Sequence, residues 1–173
     1  MSTSLHDAVI KTYLQILPQV DHLLNKAQDH ARDNGLEPST LTEAYLARDM
    51  WPFAKQIFEC GHHSARAIQG VRKGLFAPEP DPVPSDFAAL KKEIEGALEV
   101  VDAVEPGELD QIAGQDMLFK FNDFEMPFTV ADFLLSFSLP NFYFHSSTAY
   151  AILRNQGVSV GKTDFLGRVR KRN

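Results

Sequence analysis

Residues Ser136–Leu153 read SFSLPNFYFHSSTAYAIL, and the reading of this stretch decides the fold. Helical spacing places Val130, Leu134, Phe137, Asn141, His145, Thr148 and Ile152 on one face. Asn141 and His145 are four residues apart, so they lie one above the other and within reach of a common ligand. Phe142, Tyr143 and Phe144 point in other directions. A helix apolar nearly all round is expected to be covered on both sides, and a subunit interface is the simplest cover. Pro140 has no N–H for the carbonyl of Ser136, so a bend is expected just before Asn141.

The same period continues outward. Leu5, Val9, Tyr13, Ile16, Val20, Leu23 and Ala27 form the stripe of a first long helix, with a bend expected at Pro18 and a stop at Asn34-Gly35. PSTLTEAYLA, residues 38–47, reads as a short connecting helix. A second long helix is expected to begin after Asp49, to carry Phe53, Ile57, Cys60, Ser64, Ala67 and Val71, and to close at Gly74. APEPDPVPSD, residues 77–86, is a stiff proline-rich crossover. Ser85 or Asp86 then caps a third helix carrying Phe87, Leu90, Ile94, Leu98, Val101 and Val104. The period shortens in MLFKFNDFEMPFT, residues 117–129, which predicts a β-hairpin turning at Asn122-Asp123. Thr129 and Asp132 cap the last helix, and Gly157 ends it. The pattern predicts an all-α four-helix bundle with a proline-rich crossover and a small hairpin before the last helix. Residues 1–167 are read as one domain and 168–173 as a solvated basic tail.

Bulk composition narrows the function classes. The chain has 173 residues, 44% hydrophobic and 23% charged, with a net charge of −6. Arg168, Arg170, Lys171 and Arg172 crowd the C-terminus and leave the remainder strongly acidic, so no nucleic-acid partner is expected. The longest apolar run is too short for a membrane span. A single cysteine, Cys60, excludes a disulfide framework and fits a reducing compartment, so a cytoplasmic location is expected.

The pattern LPNFYFHSSTAYAILRNQGV, followed by DFLG, resembles a domain-of-unknown-function family of the DinB/YfiT-like superfamily. RDMWPFAKQIFECGHHSARAIQG and SLHDAVIKTYLQIL are similar to the same family, so the likeness runs from Leu5 to Gly167. It implies a commonly dimeric four-helix bundle. In many members three histidines hold a divalent metal, one from the second helix and two spaced i, i+4 on the last. Some metal-bearing relatives transfer low-molecular-weight thiols or isomerise thiol conjugates.

This chain departs from that pattern. The last-helix pair is Asn141 and His145, and Gln56 aligns with the second-helix ligand. Amides hold zinc-like ions poorly, so the expectation is a degenerate site with no cofactor. If an ion is held, His145 and Asn141 are its candidate ligands, and Asp49, Cys60 or His63 could replace the missing ones. The pocket candidates are therefore Gln56, Cys60, His63, Asn141, Tyr143 and His145. His62 is expected to project outward, and His6, His22 and His30 read as surface.

GVSVGKT, residues 157–163, imitates a phosphate loop. Its glycines are one residue too close, and it follows a helix instead of a strand, so it reads as a helix terminator and turn. Two readings of function remain. One is a metal-free small-molecule-binding or interaction protein, dimeric through the aromatic last helix. The alternative is a metal-dependent thiol (glutathione-like) transferase or isomerase.

Overall fold

The stripe of the first helix is buried from Leu5 to Ala27. In the computed structural model, which describes residues 3–78 and 82–172, this helix opens with a π-helical turn over His6–Ile10. It continues over Lys11–Asp33, and the two segments together are α1. Pro18 lies inside that helix without ending it. Termination is by a glycine cap: Gly35 takes φ +61°, and the N–H groups of Gly35 and Leu36 return to the carbonyls of Arg32 and Ala31. The connecting helix α2 is shorter than expected, covering only Ser39–Thr42.

The second long helix starts at Phe53, later than the expected start after Asp49, because Pro52 holds an extended backbone at ψ 167° as the residue before it. Three continuous segments make it up: Phe53–Gly61, a π-helical turn over His62–Arg66, and Ala67–Lys73. They are called α3 together. Gly74 at φ +70° ends it and releases the short strand β1, Leu75–Phe76. The proline-rich stretch falls partly on residues 79–81, which lie outside the described residues. Asp86 caps α4, Phe87–Asp102, by accepting from Ala89 N–H at 2.8 Å. The one-turn helix α5 is Glu108–Ile112.

The hairpin forms as the alternation predicts: β2, Asp116–Phe121, pairs antiparallel with β3, Phe124–Thr129, around Asn122 at φ +53°. The sequence reading missed that β1 adds parallel to β2, giving a three-stranded sheet in the order β1-β2-β3. Two residues carry too little period to be read as a strand. Gly70 makes the crossing possible, since a Cβ there would lie 3.1 Å from the Leu75 carbonyl oxygen and 3.2 Å from the Phe76 ring. Gly70→Val should therefore push β1 off the helix and cost about 1–3 kcal/mol as overpacking, read as a lower denaturation midpoint with an unchanged slope.

The last helix, α6, joins Val130–Asp132, a π-helical stretch over Phe133–Ser138, and Leu139–Asn155. Thr129 Oγ1 caps its start by accepting from Asp132 N–H. The π-helical stretch lies immediately ahead of Pro140, where the α-helical bond to the Ser136 carbonyl cannot form. Its outer face is not covered within the chain: Leu135, Tyr143 and Phe144 are exposed. A short helix α7, Lys162–Leu166, follows the Gly157 terminator and packs on α1. In the long helices α1 packs on α4 and α6, while α3 packs on α4 and α6. Their apolar faces and those of the sheet meet in one core cluster. The basic tail is not wholly solvated, because Arg170 donates to the Asp7 carbonyl at 3.0 Å. Among the described residues no helix is long and apolar enough to cross a membrane.

Candidate functional site: a carboxylate and two imidazoles

Helix periodicity places Lys55, Glu59 and His63 in one column of α3, and the packing of α3 on α6 brings His145 against it. Glu59, His63 and His145 are all buried, and each offers one ligand-type atom such that all three atoms lie within 4.8 Å of one another. The His63 and His145 rings are nearly parallel, with centroids 5.6 Å apart and 14° between planes. Trp51 stacks on the other side of His145 at 5.7 Å and 14°. His63 comes from the π-helical turn of α3, a local widening of the helix often found where side chains serve a site.

The protonation state of His145 follows from its neighbours. Gln56 Nε2 donates to the Trp51 carbonyl at 3.0 Å, so its oxygen must face His145. That oxygen can only accept, and it lies 2.8 Å from His145 Nδ1. Nδ1 therefore carries the hydrogen, and Nε2 keeps its lone pair for a ligand. Gln56 thus orients the imidazole as outer partners commonly orient metal-binding histidines. Gln56→Leu should keep the fold but weaken binding of a metal at His145 by about 10–100-fold, measurable by competition with a chelating dye.

Charges at the site are set before any ligand arrives. Burial holds His63 down to about 3, with neighbouring His145 adding to the effect, and burial holds His145 down to about 4. Burial alone would raise the Glu59 carboxyl, but hydrogen bonds from His62 and Lys55 outweigh it and hold the group at about 2. At neutral pH the cluster is thus two neutral imidazoles and one carboxylate. Lys55 Nζ lies 2.5 Å from Glu59 Oε1, and His62 Nδ1 lies 3.3 Å from Oε2. His63 Nε2 stands 3.8 Å from the same Oε2, too far for a hydrogen bond. His63 Nδ1 is buried and has no partner.

A cavity of about 370 Å3 opens onto the cluster, with Asp49, Gln56, Asn141 and Phe144 in its walls. The sequence candidates divide accordingly. Gln56, His63, Asn141 and His145 all line this cavity. Asn141 lies beside it with its amide Nδ2 already donated to the Phe137 carbonyl at 2.7 Å, leaving only its oxygen available. Cys60 is fully buried outside the cavity, its S–H donating to the Gln56 carbonyl, and burial pushes its thiol far up. Tyr143 is 41% exposed and also outside the cavity. His62, expected at the surface, is only 3% exposed and packs against Phe58 and Glu59, four and three residues before it on α3. Glu59 was missed altogether. Its spacing of four from His63 was the available signal, and it repeats the spacing of Asn141 and His145.

The comparisons with known proteins accord with this geometry at the level of fold. The model of the family described as "Domain of unknown function (DUF1993)" matches residues 5–166. The chain belongs to this family. Its structure is similar to the crystal structure of a DinB family member protein from Shewanella denitrificans, with a TM-score of 0.81 and 23% identity over 98% of this chain and 95% of the other. The DUF1993 chain therefore has a DinB-like fold, as the resemblance in its last helix implies. No curated protein is significantly similar to it.

Proposed function

We propose that this DUF1993 protein is a DinB-like four-helix bundle, built on α1, α3, α4 and α6, that binds one divalent transition-metal ion through Glu59, His63 and His145. A small molecule would occupy the adjoining cavity. The observation that carries the reading is the convergence of these three side chains on one point, with the His145 tautomer already fixed by Gln56. Two neutral imidazoles and a carboxylate suit zinc, nickel, iron or manganese, and leave coordination positions open. With tetrahedral bonds of about 2.0–2.2 Å the donors would stand about 3.3–3.6 Å apart, so a separation of 4.8 Å would have to contract by somewhat more than about 1 Å, through rotation of the three side chains. When bound, such an ion supplies Lewis acidity that holds a coordinated thiol or water deprotonated near neutral pH.

The residues of the chain would then bind and orient. Gln56 holds the His145 ring, Lys55 balances the carboxylate, and Trp51 and Phe144 wall the cavity. Cys60 is inaccessible, so any thiol chemistry must use an external thiol. That supports the metal-dependent thiol transferase or isomerase class over a protein-thiol mechanism. The metal-free binding reading keeps one supporting observation: Lys55 and His62 already pair with Glu59, so the carboxylate has partners without an ion. Metal analysis of protein purified without chelators or an affinity metal separates the two. About one equivalent of a transition metal supports the first reading, and less than a tenth supports the second.

The exposed Leu135, Tyr143 and Phe144 on α6 support a homodimer in which this face is covered. Because Phe144 also walls the cavity, dimerisation would narrow its mouth. Light scattering is expected to give twice the chain mass, and Phe144→Asp to shift it to the monomer.

A further inference from the structure

A second cavity of about 430 Å3 lies on the other side of Glu59 and His63, and its walls are mainly aromatic. Trp51 precedes α3, Phe76 is on β1, Phe119 and Phe121 are on β2, and Phe137 is on α6. Three elements and the segment before α3 therefore contribute rings to one space whose size falls in the range of small-molecule sites. These rings are not simply core. Trp51 and Phe121 are each 51% exposed at the rim, whereas Phe76 is buried and Phe119 and Phe137 are half-buried. The ring pairs Phe76–Phe119 and Phe119–Phe137, with centroids 6.1 and 4.9 Å apart, form a continuous wall.

The polar groups of this space come from α3, and two of them lack partners. His62 Nδ1 faces the Glu59 carboxylate, so in the neutral ring it carries the hydrogen and Nε2 is the acceptor. That Nε2 is buried without a hydrogen-bond partner, and so is Nδ1 of His63. A buried acceptor without a donor is costly, and a ligand that brings a donor recovers that cost. Among the described residues, the only full positive charge lining the space, Lys55, is already paired with Glu59. The cavity thus offers ring faces, unpaired imidazole nitrogens and no free charge for an anion.

We propose that this compartment is the seat of a flat, uncharged aromatic group carrying a hydroxyl or amine hydrogen-bond donor, of the phenol or arylamine class, with His62 as the acceptor. This deepens the functional reading above, since the compartment shares Trp51, Glu59 and His63 with the metal-site cavity and would present the ring system beside the ion.

The test uses the full chain in EDTA, so that it stands apart from metal binding. Calorimetric titration with 2-naphthol should show saturable one-to-one binding, about tenfold tighter than 2-methoxynaphthalene, which has the rings but no donor. Phe121→Ser, at an exposed rim position, should weaken 2-naphthol by about fivefold or more while the circular dichroism spectrum is unchanged. No saturable binding, equal affinity for the two compounds, or indifference to Phe121→Ser would each overturn the proposal. Failure here with stoichiometric metal intact would leave the metal reading standing, and naphthol binding without any metal affinity would do the reverse.

Discussion

His145→Ala is expected to lower the affinity for Zn2+ by on the order of a hundredfold or more, and Glu59→Gln and His63→Ala to do the same. The three residues come from two helices, and each contributes one donor atom to the same point. Losing any one leaves two ligands, too few for a stable site. Asn141→Ala should change Zn2+ affinity by less than about threefold, because a neutral amide oxygen is a poor ligand for zinc-like ions. The contrast matters because the two sites make opposite claims. A site built on the last-helix pair would fail with Asn141→Ala and survive Glu59→Gln. Calorimetry on the four variants, each checked for native helicity, distinguishes them.

The metal-free protein should lose several kcal/mol of stability between pH 7 and pH 5. His63 and His145 sit near 3 and 4 in the folded chain, while an unfolded histidine titrates near 6.5. Above about pH 6.5 neither state takes up the proton, and stability is full. As pH falls below that value the unfolded chain gains protons that the folded chain refuses, so stability declines until the folded groups titrate near 4 and 3. At pH 5 each histidine contributes a loss of about 2 kcal/mol. The sign is the same for Glu59, held near 2, whose contribution is present above the usual glutamate range and disappears only at lower pH. Urea denaturation in EDTA at pH 7, 6 and 5 measures this directly. His63→Phe and His145→Phe should each flatten the profile.

The helices were legible because their information is local. Seven residues of the α1 stripe repeat every three or four positions, and all seven are buried. Caps were read equally well, since Gly35, Gly74, Asp86, Thr129 and Gly157 act on the turns beside them. The site was only half legible. His145, His63 and Gln56 were singled out, but His145 was paired with Asn141 because a sequence shows spacing along one helix and nothing of what faces it. Its partners lie on α3, 89 positions away in the case of Gln56. His62 was misplaced for the same reason, because the sequence does not show that its side of α3 is covered. β1 was invisible for a different reason. Two residues have no period, and their place is set by the parallel pairing with β2 and by the space above Gly70.

The proposed ion at Glu59, His63 and His145 has one decisive observable, its position in a crystal. Crystals grown with Zn2+ and measured on both sides of the zinc absorption edge test it most directly. The expected result is an anomalous peak bonded to a Glu59 carboxylate oxygen, a His63 ring nitrogen and His145 Nε2, with Gln56 still on His145 Nδ1. No peak at the cluster, or zinc held elsewhere with Lys55 and His62 still closed on Glu59, would contradict it.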